Sequence, residues 1–420
     1  MASPAYAKKL PRILSARPWA RSRRTHGAIA ATLAGHKNAE MTGLGPNERL
    51  IGKPGSRAML DTPALLIDRE ALERNIVTMA MHARAAGVNL RPHAKTHKSV
   101  RVAEMQVGAG ALGICCATLG EAEVMVGAGV PGVHITSPQV TEPKIARLVA
   151  LHARPHDGLS VVVDHPDNLA ALARAARHAG KPLEVLVDFS AGHGRTGCAD
   201  EAALAALVRA AVAADGIVFR GIQSYSGNLQ HIAARAERRA KALAQLERLR
   251  GMVARLRDAS IEVPIVTGAG TGTFDLDPEA RVFTELQVGS YVFMDVDYLR
   301  ALKDGRNAPP FDTALFVATA VVSGNAPGYV TTDAGLKCFA TDGPTPEIAS
   351  GAPPGSRYEF FGDEHGKLTL PPGATKLPLG TIVECVTPHC DPTANLHDFY
   401  HVVSGDTLVD IWPIDARGKR

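Results

Sequence analysis

Between residues 63 and 295, short apolar runs rich in β-branched residues alternate with alanine-rich amphipathic stretches. The apolar runs cover 64–68, 88–93, 112–117, 132–137, 159–164, 183–188, 218–225, 263–268 and 286–293. Helical spacing fills 69–86, 120–129, 142–152, 168–180, 201–214 and 233–259. In the last of these, Leu243, Leu246, Leu249, Val253 and Leu256 recur every three or four residues and make one helix face. Glycine or proline punctuates nearly every helix-to-strand junction. Such alternation predicts a parallel sheet, and eight or more units predict that the sheet closes into a (β/α)8 barrel. Nine runs are one too many, so the run at 64–68 is expected to pair outside the barrel, leaving eight strands from Val88 onward.

Beyond residue 305 the helical period disappears. Short runs at 314–322, 328–333, 368–370, 381–386, 399–403 and 407–412 are separated by turns rich in proline and glycine. The predicted fold is therefore α/β, a TIM-like (β/α)8 barrel over 69–304 followed by a C-terminal all-β domain over 305–420.

Composition narrows the class. The chain of 420 residues is 45% hydrophobic and 21% charged, with no run of 18 apolar residues. A membrane span is not expected. The net charge of +4 is unevenly placed. Residues 1–40 carry eight of the 46 Lys and Arg and one of the 42 Asp and Glu, leaving 38 bases against 41 acids in the rest. The body is thus mildly acidic, and nucleic acid is not an implied partner. Residues 1–45 read as a basic disordered extension, or as sequence upstream of a true start at Met41, in preference to a targeting peptide. The six cysteines have neither C-x-x-C spacing nor the density of a disulfide framework, which fits a reducing cytoplasm and buried thiols.

Four segments carry candidate chemistry. Lys95 follows the first barrel run, in Arg91-Pro92-His93-Ala94-Lys95-Thr96-His97-Lys98. That places it at the C-terminal face of the barrel, where active sites are built. A lysine there either forms a Schiff base with a carbonyl or binds a phosphate or carboxylate. A glycine-rich turn after the run at 263–268 holds Gly270, Thr271, Gly272 and Thr273, and the next unit holds Gly289, Ser290 and Tyr291. Closely spaced glycines expose N–H donors that can cradle phosphate, and the last two units of a barrel are the usual place for it. A phosphate facing a lysine on the first strand suggests pyridoxal 5′-phosphate. Arg195, in a Gly-rich loop after the run at 183–188, is a candidate donor to the pyridine nitrogen or a partner for a loop carboxylate. Tyr225 is placed to contact the cofactor. His231 is a candidate general base or a structural histidine. In the β domain, His389 and Asp391 are two residues apart, so in an extended segment they share a face. One imidazole and one carboxylate suit a divalent ion such as Mn²⁺, although His-x-Asp also arises by chance.

These motifs, in this order, resemble a family of pyridoxal phosphate enzymes: D-threonine aldolases, 3-hydroxy-D-aspartate aldolases and eukaryotic-type D-serine dehydratases. Further matches lie at Asp333-Ala334-Gly335-Leu336-Lys337, Asp363-Glu364-His365-Gly366 and the closing Ile411-Trp412-Pro413. The resemblance implies an alanine racemase-like barrel with a β domain, which residues 46–68 join, working as a homodimer on small D-amino acids. It assigns Lys95 as the Schiff-base lysine and His231 as the catalytic base. Arg195 and Tyr225 become cofactor contacts, Gly270–Thr273 and Gly289–Tyr291 the phosphate holders, and His389 and Asp391 the metal ligands. Mn²⁺ is the expected ion, with Mg²⁺, Co²⁺ or Zn²⁺ as alternatives. One departure is Ala117-Thr118 after the paired cysteines, where many aldolases carry Gln-Lys.

The implied reaction is cleavage of a D-β-hydroxy-α-amino acid to glycine and an aldehyde. The competing reaction is dehydratase-type β-elimination. The family's dehydratases pair the metal histidine with a cysteine, whereas this chain has Asp391, as in the aldolases. A non-catalytic cofactor carrier is disfavoured by the β domain with its His389–Asp391 pair. A racemase is disfavoured because no second acid–base tyrosine can be placed.

Overall fold

The computed structural model describes residues 43–303 and 310–420. The predicted basic extension at 1–45, apart from Gly43, Leu44 and Gly45, and the predicted domain boundary at 304–305 lie outside the described residues. The strands in chain order are β1 (Ala64–Asp68), β2 (Asn89–Leu90), β3 (Cys115–Cys116), β4 (Val133–Ile135), β5 (Leu159–Val163), β6 (Leu183–Asp188), β7 (Ile217–Ser224), β8 (Ile265–Gly268) and β9 (Glu285–Leu286). They are followed by β10 (Leu315–Ser323), β11 (Tyr329–Thr332), β12 (Glu347–Ser350), β13 (Arg357–Phe360), β14 (Gly366–Thr369), β15 (Ile382–Val386), β16 (Phe399–Ser404) and β17 (Thr407–Pro413).

Strands β2 to β9 form one eight-stranded sheet in the order β2-β9-β8-β7-β6-β5-β4-β3, every pairing parallel. A parallel bridge between His93 and Cys115 joins its two ends, with Leu112 N–H and Cys115 N–H donating at 2.8 Å to the carbonyls of Leu90 and Pro92. The sheet is therefore a closed barrel. The helices α1 (Arg69–Ala86), α2 (Val100–Gly108), α3 (Leu119–Gly127), α4 (Glu142–Ala153), α5 (Pro166–Ala179), α6 (Glu201–Ala213), α7 (Arg235–Asp258) and α8 (Val296–Lys303) follow the strands in turn. Helices α2 and α8 have no counterpart in the predicted pattern, being short segments of nine and eight residues. Where β2, β3 and β9 were expected to be long, each has two residues. Residues of those runs outside the short strands still bond to their neighbours: the N–H groups of Arg91 and His93 donate to the carbonyls of Leu286 and Val288, each at 3.0 Å.

The ninth run lies where the strand count required. β1 pairs antiparallel with β10 and parallel with β16, inside a nine-stranded sheet formed with the C-terminal strands. Its strict alternation explains the position. Leu65 and Ile67 point into the large core, while Ala64 and Leu66 point into a second core with Leu50, Phe316 and Leu408. A strand buried on both faces must sit between two layers. The spine of this sheet is β10, which bonds to β1, β15 and, past a bulge near Val321, β11. The sequence pattern missed β12 and β13. Each is four residues long and half exposed, so neither has a clear apolar period.

Buried hydrogen bonds fix the sheet to the barrel. Asp295, fully buried after β9, accepts 2.9 Å bonds from the N–H groups of Tyr298 at the start of α8 and Cys390 at the start of the short helix α9 (Cys390–Ala394). Tyr400 on β16 donates its hydroxyl to the His97 carbonyl at 2.8 Å, beside the Lys95 turn. Among the described residues no helix is long and apolar enough to cross a membrane. All six cysteines are buried free thiols.

Removing the Asp295 carboxylate leaves two buried N–H groups without acceptors, at ~1–3 kcal/mol each. Asp295→Ala is expected to lose about 3 kcal/mol in chemical denaturation, while a loss below roughly 0.5 kcal/mol, the scale of an ordinary surface substitution, would show the bonds are replaced.

Candidate active site

The site forms where β2, β8 and β9 end. Beyond the strand ends lie non-glycine residues with positive φ: Ala269 at 69° directly after β8, and Lys98 at 50° and Met294 at 54°, each eight residues past β2 and β9. Backbone held in this sparsely populated region is kept there by its surroundings and gathers at functional sites. After β2, the His93 N–H donates to the Val288 carbonyl at 3.0 Å, and residues Ala94–Thr96 make a 3-10 turn. The turn aims Lys95 into the mouth, with 40% of its side chain exposed.

Lys95 Nζ pairs with Asp391 Oδ2. Burial disfavours the lysine's charged form, but the Asp391 carboxylate, with Tyr225 behind it, outweighs burial and raises the amine above its ordinary value. Asp391 mirrors this. Burial works to raise its carboxyl, and the charges of Lys95 and His389 hold it well below the usual range. The mouth therefore contains an ammonium and a carboxylate rather than two neutral groups.

Neutral polar groups floor the mouth. Burial keeps His93 uncharged, with Lys95 adding to the effect. Its Nδ1 accepts from the Lys95 N–H at 3.4 Å, so Nε2–H donates to Thr136 Oγ1 at 3.1 Å. Burial likewise pushes His134 down to about 3. Gln223 ties the floor together. Its amide donates to the Thr136 carbonyl and Asp188 Oδ1, and its oxygen accepts from His134 Nε2 and Gln287 Nε2, all at 3.1 Å. Burial pushes Asp188 up to about 6, against the hydrogen bond from Thr196.

Arg195 is exposed on the loop after β6, its guanidinium carbon 5.6 Å from the centre of the Tyr225 ring. Its charge acts on the Asp188 carboxyl, and it makes no ion pair of 4 Å or less among the described residues. The same cavity is lined by Tyr225, Arg195, His193 and Asp188.

The predicted phosphate cradle divides in two. Among the described residues the N–H groups of Gly270, Thr271, Gly289 and Ser290 donate to no protein acceptor. Gly272 and Thr273 face the scaffold instead. The Gly272 N–H donates to Gln230 Oε1 at 2.8 Å, and the Thr273 hydroxyl donates to buried Asp277 at 2.5 Å. Tyr291 is also committed. Its N–H donates to Thr271 Oγ1 and its buried hydroxyl accepts from Gln106, both at 3.0 Å. A Cβ on Gly270 or Gly272 would collide with Gln230, so these glycines are required by close packing. Sequence reading missed Gln230, which follows no periodic pattern. Four unpartnered N–H groups at two strand ends fit a phosphate.

The His389–Asp391 segment differs from the extended form expected. His389 has extended backbone, but helix α9 begins at Cys390, so a shared strand face is not what relates the two residues. They are instead the residue before α9 and its second residue. His389 Nδ1 lies 2.9 Å from Asp342 Oδ2. No group of three or more His, Cys, Asp or Glu that could hold a metal occurs among the described residues. One imidazole and one carboxylate do not fit a closed zinc site, but they fit a cation that takes its other ligands from water and substrate.

His231 lies on the rim, 43% exposed, with Nδ1 2.9 Å from Asp297 Oδ2 and its ring 4.7 Å from that of buried Tyr298. Asp297 accepts from Nδ1–H, which leaves Nε2 free to take a proton.

Residues 67–297 match the alanine racemase N-terminal domain, and residues 314–403 match a serine dehydratase domain. The chain is 41% identical to a D-threonine aldolase from Arthrobacter sp., over 86% of this chain and 94% of the relative. It is 36% identical to a 3-hydroxy-D-aspartate aldolase from Paracoccus denitrificans, over 86% and 93%. Among solved structures, D-threonine aldolase from Filomicrobium marinum superposes with a TM-score of 0.81 at 41% identity, covering 86% of this chain and 97% of that one.

Burial raises Asp277 from an ordinary 3.8 to about 7. A carboxyl whose folded value is raised favours folding through its protonated form. That contribution is complete below the unfolded value and is lost as pH climbs through the folded one. Wild-type Tm should therefore fall between pH 5 and pH 8, and Asp277→Asn, which keeps an acceptor for Thr273, should fall less. Equal falls in the two proteins would assign the loss to other groups.

Proposed function

The chain belongs to the alanine racemase-like family that includes the D-threonine aldolases, and from that premise we propose that it is a lyase of D-3-hydroxy amino acids. It uses pyridoxal 5′-phosphate and a divalent cation, and it releases glycine and an aldehyde. The observation that carries this reading is the pairing of Lys95 with Asp391. It brings a lysine amine at a barrel mouth against the His-x-Asp turn of the second sheet.

When bound, pyridoxal phosphate withdraws electrons from the substrate Cα and the cation polarises the β-hydroxyl. The chain's own residues prepare both events. Lys95 supplies the amine that anchors the cofactor carbonyl. The free N–H groups of Gly270, Thr271, Gly289 and Ser290 receive the phosphate, and Thr271 Oγ1 is held in place by Tyr291 N–H. The Arg195 guanidinium can donate but not accept, so a pyridine nitrogen beside it stays unprotonated. Tyr225 offers a ring to the cofactor below that guanidinium. His389 and Asp391 hold the cation. His231 accepts the β-hydroxyl proton at Nε2, with Asp297 stabilising the imidazolium through Nδ1–H.

The match of residues 314–403 to a serine dehydratase domain supports a second reading with the same parts. There the Cα proton and the hydroxyl leave, giving a keto acid and ammonia. One assay separates the two. Protein loaded with pyridoxal phosphate and Mn²⁺ is offered D-threonine, D-3-hydroxyaspartate and D-serine, and the products are scored. Glycine with an aldehyde is expected; keto acid alone would replace the aldolase reading with the dehydratase one. Lys95→Ala should lose the absorbance band of the bound cofactor and at least a thousandfold in turnover, roughly the 4 kcal/mol scale of a lost catalytic group. Full turnover in that variant would sink the assignment.

A further inference from the structure

His389 is held from outside the predicted metal pair. Asp342, in the loop after Cys338, places Oδ2 2.9 Å from His389 Nδ1. A carboxylate only accepts, so Nδ1 carries the proton and Nε2 is the nitrogen left for a cation. The loop is tied to the turn it serves. The Thr393 hydroxyl donates to the His389 carbonyl at 2.7 Å and accepts from the Ala340 N–H at 3.0 Å. His397 Nε2 contacts the Cys338 carbonyl at 3.0 Å. Asp342 is 55% exposed and His389 29%, so the pair lies at the surface edge of the mouth, where fixing an imidazole costs little burial.

We propose that Asp342 is a positioning residue for the divalent cation: it fixes the tautomer and the ring orientation of His389 and makes Nε2 a stronger donor. The proposal rests on the reading of His389 and Asp391 as cation ligands. Carboxylates in this relation to a metal-binding histidine typically contribute about ten- to hundredfold in metal affinity. Asp342 acts through His389, the partner its carboxylate is placed against.

The test is Mn²⁺ titration of the pyridoxal phosphate-loaded protein, followed by the electron paramagnetic resonance signal of free Mn²⁺. Wild type is compared with Asp342→Ala, Asp342→Asn and His389→Ala. The alanine variant should weaken Mn²⁺ binding about ten- to hundredfold, and the asparagine variant, which keeps an acceptor without the charge, should fall between it and wild type. Cofactor absorbance should stay at the wild-type value in both Asp342 variants. Binding within twofold of wild type in the alanine variant would overturn the role. So would a loss as complete as that of His389→Ala, which would make Asp342 a ligand. Unweakened binding in His389→Ala would overturn both this proposal and the ligand reading beneath it. A wild-type protein that binds Mn²⁺ through His389 but makes no glycine would overturn only the aldolase reading.

Discussion

Lys95 and Asp391 lie 296 residues apart along the chain, and their opposite charges meet in the barrel mouth. Partial burial works against the charged form of each group. Here each charge sustains the other, and both groups remain ionised. That pairing requires the second sheet to deliver its turn to the right place. The delivery depends on β1, which joins the second sheet before the barrel begins. It also depends on Asp295, whose carboxylate caps α8 and α9 together.

Around this pair the structure keeps its other titratable groups quiet. His93 and His134 are neutral because they are buried, and their hydrogen bonds assign both tautomers. Gln223 has its amide and its oxygen fully used, so the floor has little freedom to rearrange. A fully satisfied buried network favours one arrangement over its alternatives. The unspent hydrogen-bonding capacity lies instead at the glycine-rich strand ends, where a phosphate would use it.

The barrel was legible because its cause is periodic. A run such as 159–163 and a helix such as α7 announce themselves through apolar spacing, and the strand count then forced β1 out of the barrel. Short elements with no period were not legible. β12, β13, α2 and α9 gain their stability from neighbours rather than from their own pattern. The misreading of His389 and Asp391 as one strand face has the same origin, since Pro388 and Pro392 flank a segment too short to show a period.

The sequence by itself determined the fold class and the residue types at each strand end. Both follow from local spacing and from chemistry that a side chain carries anywhere. It also placed Lys95 at the catalytic face, because strand direction fixes which end of a parallel barrel holds the loops. Only the tertiary structure decided which donors are free. Gly270 and Gly272 look alike in sequence, yet one N–H is unspent and the other belongs to Gln230. Only the structure set Asp391 against Lys95 and Asp342 against His389. Partners so distant along the chain leave no trace in local pattern, because the energy that joins them exists only once both sheets have packed.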